Sequence, residues 1–188
     1  GQSLDESKSL VAVADISGKG MYAAMNAVMA SGILRLTSKQ HESAATIMAE
    51  VNDALCQSLK SDMNATVILA EIDPDGRTMT IVNAGQHAYP LLCRNGHVEP
   101  IIVRGMAVGM IPGISYTPIT LDLQVGDLIF LMTDGITEPR NAEGMMYQES
   151  KRLDEVISNL QADDSAENLV GKVVNDVLEF SQGQDIQD

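Results

Sequence analysis

The sequence predicts an α+β domain with helices packed outside antiparallel sheet, and three observations carry that expectation. Apolar residues recur at helical spacing near both ends of the chain. The middle consists of short apolar or alternating runs divided by turn residues. These runs succeed one another as hairpins instead of alternating with helices, which excludes a doubly wound parallel fold. The 188 residues suit one domain spanning 1–188, and the missing initial Met and the ending QGQDIQD suggest a segment of a longer chain.

Leu10 to Ala14 is an apolar run that reads as a strand buried on both faces. From Met21, apolar residues recur at Met25, Val28, Met29, Ile33 and Leu36, which predicts a helix over 21–37. Ser43 can cap a second helix with Ala44, Ile47, Met48, Val51 and Leu55 on its inner face. ATVILAEI and TMTIVNA read as strands joined by the turn DPDG. YPLLCR and HVEPIIV flank Asn95-Gly96, a dipeptide that readily supplies two positive φ angles for a tight hairpin. Ile119, Leu121 and Leu123 alternate with Thr120 and Asp122, marking a strand with one dry face. After the turn QVGD, Leu128 to Thr133 reads as another continuous apolar strand, ending in Asp134-Gly135. Leu153, Val156, Ile157 and Leu160 form one helical stripe; Ser165 caps the last helix, whose stripe is Leu169, Val173, Val177 and Phe180.

Composition narrows the function. With 3% aromatic residues, no Trp and 11 Met, the core must be aliphatic. The net charge of −14, from 26 acidic against 12 basic residues, excludes non-specific nucleic-acid binding, which needs a cationic face. It is compatible with cation ligands, with a complementary protein partner, or with plain solubility. Cys56 and Cys93 are far apart and outside any metal-type pair, so both read as thiols of a reducing compartment. No run of 18 apolar residues occurs, so no membrane insertion is expected in this segment and a cytoplasmic location follows.

Two strands, 10–14 and 128–133, each end in an Asp followed by a glycine-containing turn: VADISG and MTDGIT. An Asp at a strand end is by itself a common turn signal. Two such carboxylates on adjacent strands would repel unless a divalent cation joined them, and an oxygen-only set favours Mg²⁺ or Mn²⁺ over Zn²⁺. Gly18-Lys19-Gly20 is not a phosphate loop, because Gly20 follows Lys19 where Ser or Thr is required and no glycine lies five residues before Gly18. The dinucleotide pattern fails too, with Ala23 at its third glycine. What remains is a turn opening onto a helix N-terminus, which favours anions; Lys19 can face a phosphate or simply solvent. No Gly-x-Ser-x-Gly elbow occurs, and His41, His87 and His97 are scattered. His87, in AGQHAYP, is the best acid–base candidate and also reads as an ordinary structural residue.

VAVADISGKGMYAAM, IVNAGQHAYPLL, GMAVGMI, LQVGDLIFLMTDGITEPRNAEG and the final QD together resemble the ordered motifs of PPM-type, protein phosphatase 2C-like serine/threonine phosphatases, in the bacterial SpoIIE/RsbU branch. The resemblance implies an α-β-β-α sandwich of two antiparallel sheets flanked by helices, lacking its first and last strands here. It implies a binuclear Mn²⁺ or Mg²⁺ centre held by Asp15, the carbonyl of Ile16, Asp134 and Asp188, with Gly18, Lys19 and Gly20 against the substrate. Asp15 and Asp134 would then be catalytic, holding two ions about 3.5–4 Å apart and a water that attacks phosphorus. The implied substrate is a phosphoserine or phosphothreonine protein of the anti-anti-sigma kind, and an upstream sensor or receiver domain is the implied regulator. The alternative is a pseudophosphatase that binds partners without turnover. Three positions depart from the family pattern: Gln86 stands for the usual His, and Met145 and Gln148 for the usual Glu and Gly. The family's upstream Gly-Asp strand has no counterpart in the sequence.

Overall fold

The computed structural model describes residues 8–40, 43–58, 64–73 and 75–182. In chain order the elements are β1 (Ser9–Ile16), α1 (Gly20–Thr37), α2 (Ala44–Ser58), β2 (Ala65–Ile72), β3 (Thr78–Ala84), β4 (Leu91–Arg94), β5 (His97–Pro100), β6 (Ile119–Asp122), β7 (Leu128–Phe130), α3 (Asp134–Thr137), a 3₁₀ turn at Tyr147–Glu149, α4 (Arg152–Ser158) and α5 (Ala166–Phe180). They form two compact units: Gly1–Gln86 with Val103–Leu123, and His87–Ile102 with Gln124–Asp188.

The first unit is an antiparallel sheet in the order β1-β2-β3-β6. Side chains alternate across it. Ala65, Val67 and Leu69 of β2 and Val82 and Ala84 of β3 line the face that packs on Ile47, Met48, Val51 and Leu55 of α2. This inner face of α2 is the one its spacing predicts, and the Ser43 hydroxyl accepts the Thr46 N–H as a cap. A second cap comes from the sheet. Glu71, 7% exposed, accepts the Ala44 N–H at 3.0 Å and pairs with Lys8 at 2.7 Å, so a buried carboxylate meets the positive end of α2. α1 differs: Met29, Ala30, Ile33 and Leu34 lean on the core, yet no residue of this helix is fully buried.

β1 corrects the sequence expectation. It is longer than Leu10–Ala14, and its burial is half-exposed at best because it is the outer strand of the described sheet, paired with β2 alone. An apolar run reports composition; it does not report how many neighbours the strand has.

The second unit holds a three-stranded antiparallel sheet in the order β5-β4-β7. Asn95 and Gly96, with φ of 53° and 76°, make the tight β4–β5 turn that the dipeptide predicts. Leu169, Val173, Val177 and Phe180 of α5 are buried together with Leu153 and Ile157 of α4, and Ser165 caps α5 by accepting the Asn168 N–H. The strand expected over Leu128–Thr133 stops at Phe130; only three residues pair with β4, and they are half-buried at the sheet edge.

Two ion pairs organise this unit. Asp127, at the turn before β7, receives Arg94 Nε at 2.8 Å and Nη2 at 2.6 Å, as well as the Gln124 N–H. Asp176 of α5 receives Arg152 Nη2 at 2.6 Å and the hydroxyl of fully buried Tyr147 at 2.6 Å. The hydrogen bonds from Arg94 and Arg152 hold the two carboxyls below the usual range, against a burial effect that raises them. Burial, then the bond to Asp176, pushes the Tyr147 phenol up. A carboxyl depressed in the folded state contributes stability that is complete above its unfolded pKa, about 3.9, and is lost as pH falls through the folded value. The melting temperature should therefore drop on acidification below about pH 4. An Asp176→Asn variant, already destabilised at neutral pH, should show a shallower fall; equal slopes would remove Asp176 from this account.

Candidate metal site

Asp15 is the next-to-last residue of β1, opposite Thr66 of β2 and half-buried. Ile16 packs its side chain on the helix-side core, so strand alternation turns the Asp15 carboxylate to the other face. The turn beyond it is fixed reciprocally. The Ser17 N–H donates to the Asn64 carbonyl at 3.0 Å, and the Asn64 N–H donates to the Ser17 hydroxyl at 2.9 Å. Gly18 and Gly20 adopt φ of 109° and 74°, and α1 begins at Gly20. Its cap position is Lys19, whose side chain makes no capping hydrogen bond. The N-terminus of α1 thus opens on an exposed glycine-containing turn without a cap from the Lys19 side chain, and a helix N-terminus favours negative charge.

Asp134 lies in the second unit and is half-buried. It is the first residue of α3, with extended Thr133 before it, and its carbonyl accepts the Glu138 N–H at 2.8 Å. The expected strand tip is thus a helix start. β1 and β7 belong to different sheets, so they are not the hydrogen-bonded neighbours that sequence reasoning considered. The structure brings Asp15, Ile16, Gly18, Lys19 and Gly20 together in one strand-turn-helix corner. Asp188 lies outside the described residues.

Each unit offers hard oxygens, the Asp15 carboxylate and Ile16 carbonyl in the first and the Asp134 carboxylate in the second, a donor chemistry that suits Mg²⁺ or Mn²⁺. In number they are few: among the described residues, no three His, Cys, Asp or Glu side chains gather as a metal cluster. A cavity of about 700 Å³ between α4 and α5, lined by Arg152, Glu155, Asn159, Lys172 and Asp176 among others, contains none of these residues.

The two short motifs AGQH and GMAVG prove to be packing partners. Asn83, 2% exposed, accepts the Gln86 N–H and donates to the carbonyls of Gln86 and Val103. A Cβ on Gly85 would lie 2.7 Å from Ala107 Cα, and one on Gly105 would lie 2.1 Å from the Asn83 carbonyl oxygen. Gln86 is buried with its Nε2 unpaired, and His87 beside it is exposed. Sequence reasoning missed Asn52, fully buried on α2. Its amide donates to the Ile111 carbonyl at 2.9 Å and its oxygen accepts the Gly109 N–H at 3.0 Å, while neighbouring Asp53 accepts the Gly113 N–H. The available signal was a polar residue on the apolar stripe of α2. Tyr116, also in this segment, has its phenol pushed up to about 12 by burial, then by Cys56 and Asp53. In the loop after α3, Asn141 accepts the N–H groups of Glu143 and Met145, so the departure at Met145 sits in a closed surface turn.

Residues 5–188 match the family model described as Stage II sporulation protein E (SpoIIE). The chain is 23% identical over 181 residues to the phosphoserine phosphatase RsbU of Bacillus subtilis (strain 168), covering 96% of this chain and 53% of that protein. It superposes with a TM-score of 0.80 and 20% identity on the PP2C phosphatase domain and regulatory-domain fragment of SpoIIE from Bacillus subtilis, covering 96% of this chain and 52% of that one. It also resembles the catalytic domain of the serine/threonine protein phosphatase PstP in complex with two manganese ions, with a TM-score of 0.62 and 16% identity over 93% of this chain and 86% of that one. The chain thus spans about half the length of RsbU and of the SpoIIE chain. These likenesses show the fold, two antiparallel sheets flanked by helices.

Proposed function

This chain belongs to the SpoIIE family, and from that premise we propose that it is a metal-dependent protein serine/threonine phosphatase. The substrate would be phosphoserine or phosphothreonine on a regulatory protein of the anti-anti-sigma kind, with an upstream sensor or receiver domain as regulator. The observation that carries the reading is the corner at Asp15. Asp15 stands at a strand tip whose following turn is tied to Asn64, and that exposed glycine turn leads directly to a helix N-terminus that the Lys19 side chain does not cap.

In this reading Asp15, the Ile16 carbonyl and Asp134 hold the cations, with Asp188 as a further ligand. Bound Mn²⁺ or Mg²⁺ would supply Lewis acidity and a water acidified toward neutrality. The residues of the chain do the rest. The N–H groups at the start of α1 and the Lys19 ammonium receive the phosphoryl oxygens, and the Ser17–Asn64 exchange keeps the turn in register with β2. Hydrolysis passes the phosphoryl group to water and returns the serine or threonine hydroxyl. Among the described residues no helix is long and apolar enough to cross a membrane.

The departures at Gln86, Met145 and Gln148 motivate one second reading, a partner-binding pseudophosphatase. A metal titration separates the two. With Mn²⁺, the chain should release phosphate from p-nitrophenyl phosphate and from a phosphoserine protein, and EDTA should stop both reactions. Capture of a protein partner unaffected by EDTA, without phosphate release at any Mn²⁺ concentration, would select the second reading.

A further inference from the structure

We propose that the stretch 106–111 is a docking strip for the phosphoprotein substrate, which it holds by apolar side chains about three residues from the phosphoserine. The inference rests on the phosphatase reading above and adds what a good substrate must carry beside its phosphate. Met106, Met110 and Ile111 are 42%, 55% and 52% exposed. A single exposed apolar residue needs no explanation; three within six positions do. From Pro100 to Leu121 the sequence carries one charged residue, Arg104, in a chain whose net charge is −14. A phosphoprotein, anionic at the modified serine, therefore meets no carboxylate from this stretch and one cation beside it. Methionine's flexible, polarizable side chain adapts to apolar partners of different shape.

The backbone under these side chains is held before any partner arrives. Fully buried Val108 exchanges two backbone hydrogen bonds with Ala65, at 3.1 and 2.9 Å. Asn52 accepts the Gly109 N–H and donates to the Ile111 carbonyl, which brackets Met110, and Asp53 accepts the Gly113 N–H at 2.7 Å. An apolar surface on ordered backbone loses little entropy when it is covered. Its position names the occupant. Ala65 faces Val108 on one side and Ile16 on the other, so Ile16, Ala65 and Val108 form one row across the first unit. Neighbouring strands lie about 4.8 Å apart, which puts Val108 about 10 Å from the end of β1 and its glycine turn. An extended chain rises about 3.3 Å per residue, so a substrate with its phosphate at that turn lays its third residue along the strip.

The test gives the Mn²⁺-loaded 188-residue chain three substrates. They are p-nitrophenyl phosphate, a phosphoserine peptide with leucine three residues to either side, and the same peptide with serine at both places. The leucine peptide should have a kcat/KM about tenfold higher than the serine peptide, carried by KM, as covering one leucine side chain would give. Met106→Ser and the double variant Met110→Ser with Ile111→Ser should each shrink that preference, and the three changes together should abolish it. Turnover of p-nitrophenyl phosphate, too small to reach the strip, should stay within about twofold of the parent. The three positions are exposed, so melting curves should not move. Equal KM values for the two peptides overturn the docking strip and leave the phosphatase reading standing. A parent chain that hydrolyses none of the three substrates at any Mn²⁺ concentration removes both. A loss of the same size on p-nitrophenyl phosphate and on the leucine peptide would make the strip structural and overturn the proposal. So would a doubling of mass with concentration that the same substitutions abolish, which would assign the strip to a second copy.

Discussion

Replacing either Asp15 or Asp134 with Asn is expected to lower Mn²⁺-dependent phosphoserine hydrolysis by roughly a thousandfold while the protein stays folded. The substitution keeps shape and hydrogen-bonding capacity and removes only the negative charge that a hard cation requires. Neither position is in the core. Asp15 is half-buried on an outer strand, and Asp134 opens a four-residue helix. The loss should therefore appear in turnover and in Mn²⁺ affinity, measured by isothermal titration, and hardly in the melting temperature. Full activity in either variant would end the phosphatase assignment for that residue. A loss of activity with a collapsed melting curve would mean that the carboxylate is structural.

The largest expected effect on stability belongs to Gly85→Ala and Gly105→Ala. Gly85 has φ of +83°, which a side chain rarely adopts, and its new Cβ would lie 2.7–2.8 Å from Ala107 backbone and Cβ atoms. Gly105 is more severe: the new methyl would stand 2.1 Å from the Asn83 carbonyl oxygen and 3.1 Å from the Tyr116 ring. Backbone cannot rotate aside as a flexible side chain can, so the segments must separate. That would break the Asn83 bonds to Gln86 and Val103 and expose buried Val103, Val108 and Tyr116. A loss of about 3 kcal/mol or more is expected for each, on the order of 10 °C in melting temperature for a chain of this size. Melts within 2 °C or so of the parent would show that the two segments do not need this approach.

How far the sequence could be read depended on whether the deciding neighbours were local. The inner faces of α2 and α5 followed from spacing because each helix buries a single stripe, and the Asn95-Gly96 hairpin followed because the turn needs only its own two residues. β1 was misjudged as buried on both faces, and β7 as running on to Thr133, because apolar runs are blind to sheet position; both turned out to be outer strands of the described sheets. Glu71 capping Ala44, and Asn52 holding Ile111, depend on backbone partners 27 and 59 residues away, which no periodicity encodes. At the candidate site, the corner from Asp15 to Gly20 was legible as strand, turn and helix start. The start of α3 at Asp134 was not, because a four-residue helix leaves no repeat to detect.

The stretch from Val103 to Pro118 forms no regular element apart from the single bridge at Val108, yet it is far from loose. Val103, Val108 and Tyr116 are buried in it, and Asn52 and Asp53 grip the backbone between the last two. A protease cleft must draw several consecutive residues into extended form, and no interval between these anchors can yield that length without releasing one of them. Arg104, although exposed, is therefore expected to resist trypsin under native conditions, which limited proteolysis would check. Cutting there would keep pace with unfolding of the whole unit, so this irregular stretch ages with the sheet to which it is fastened.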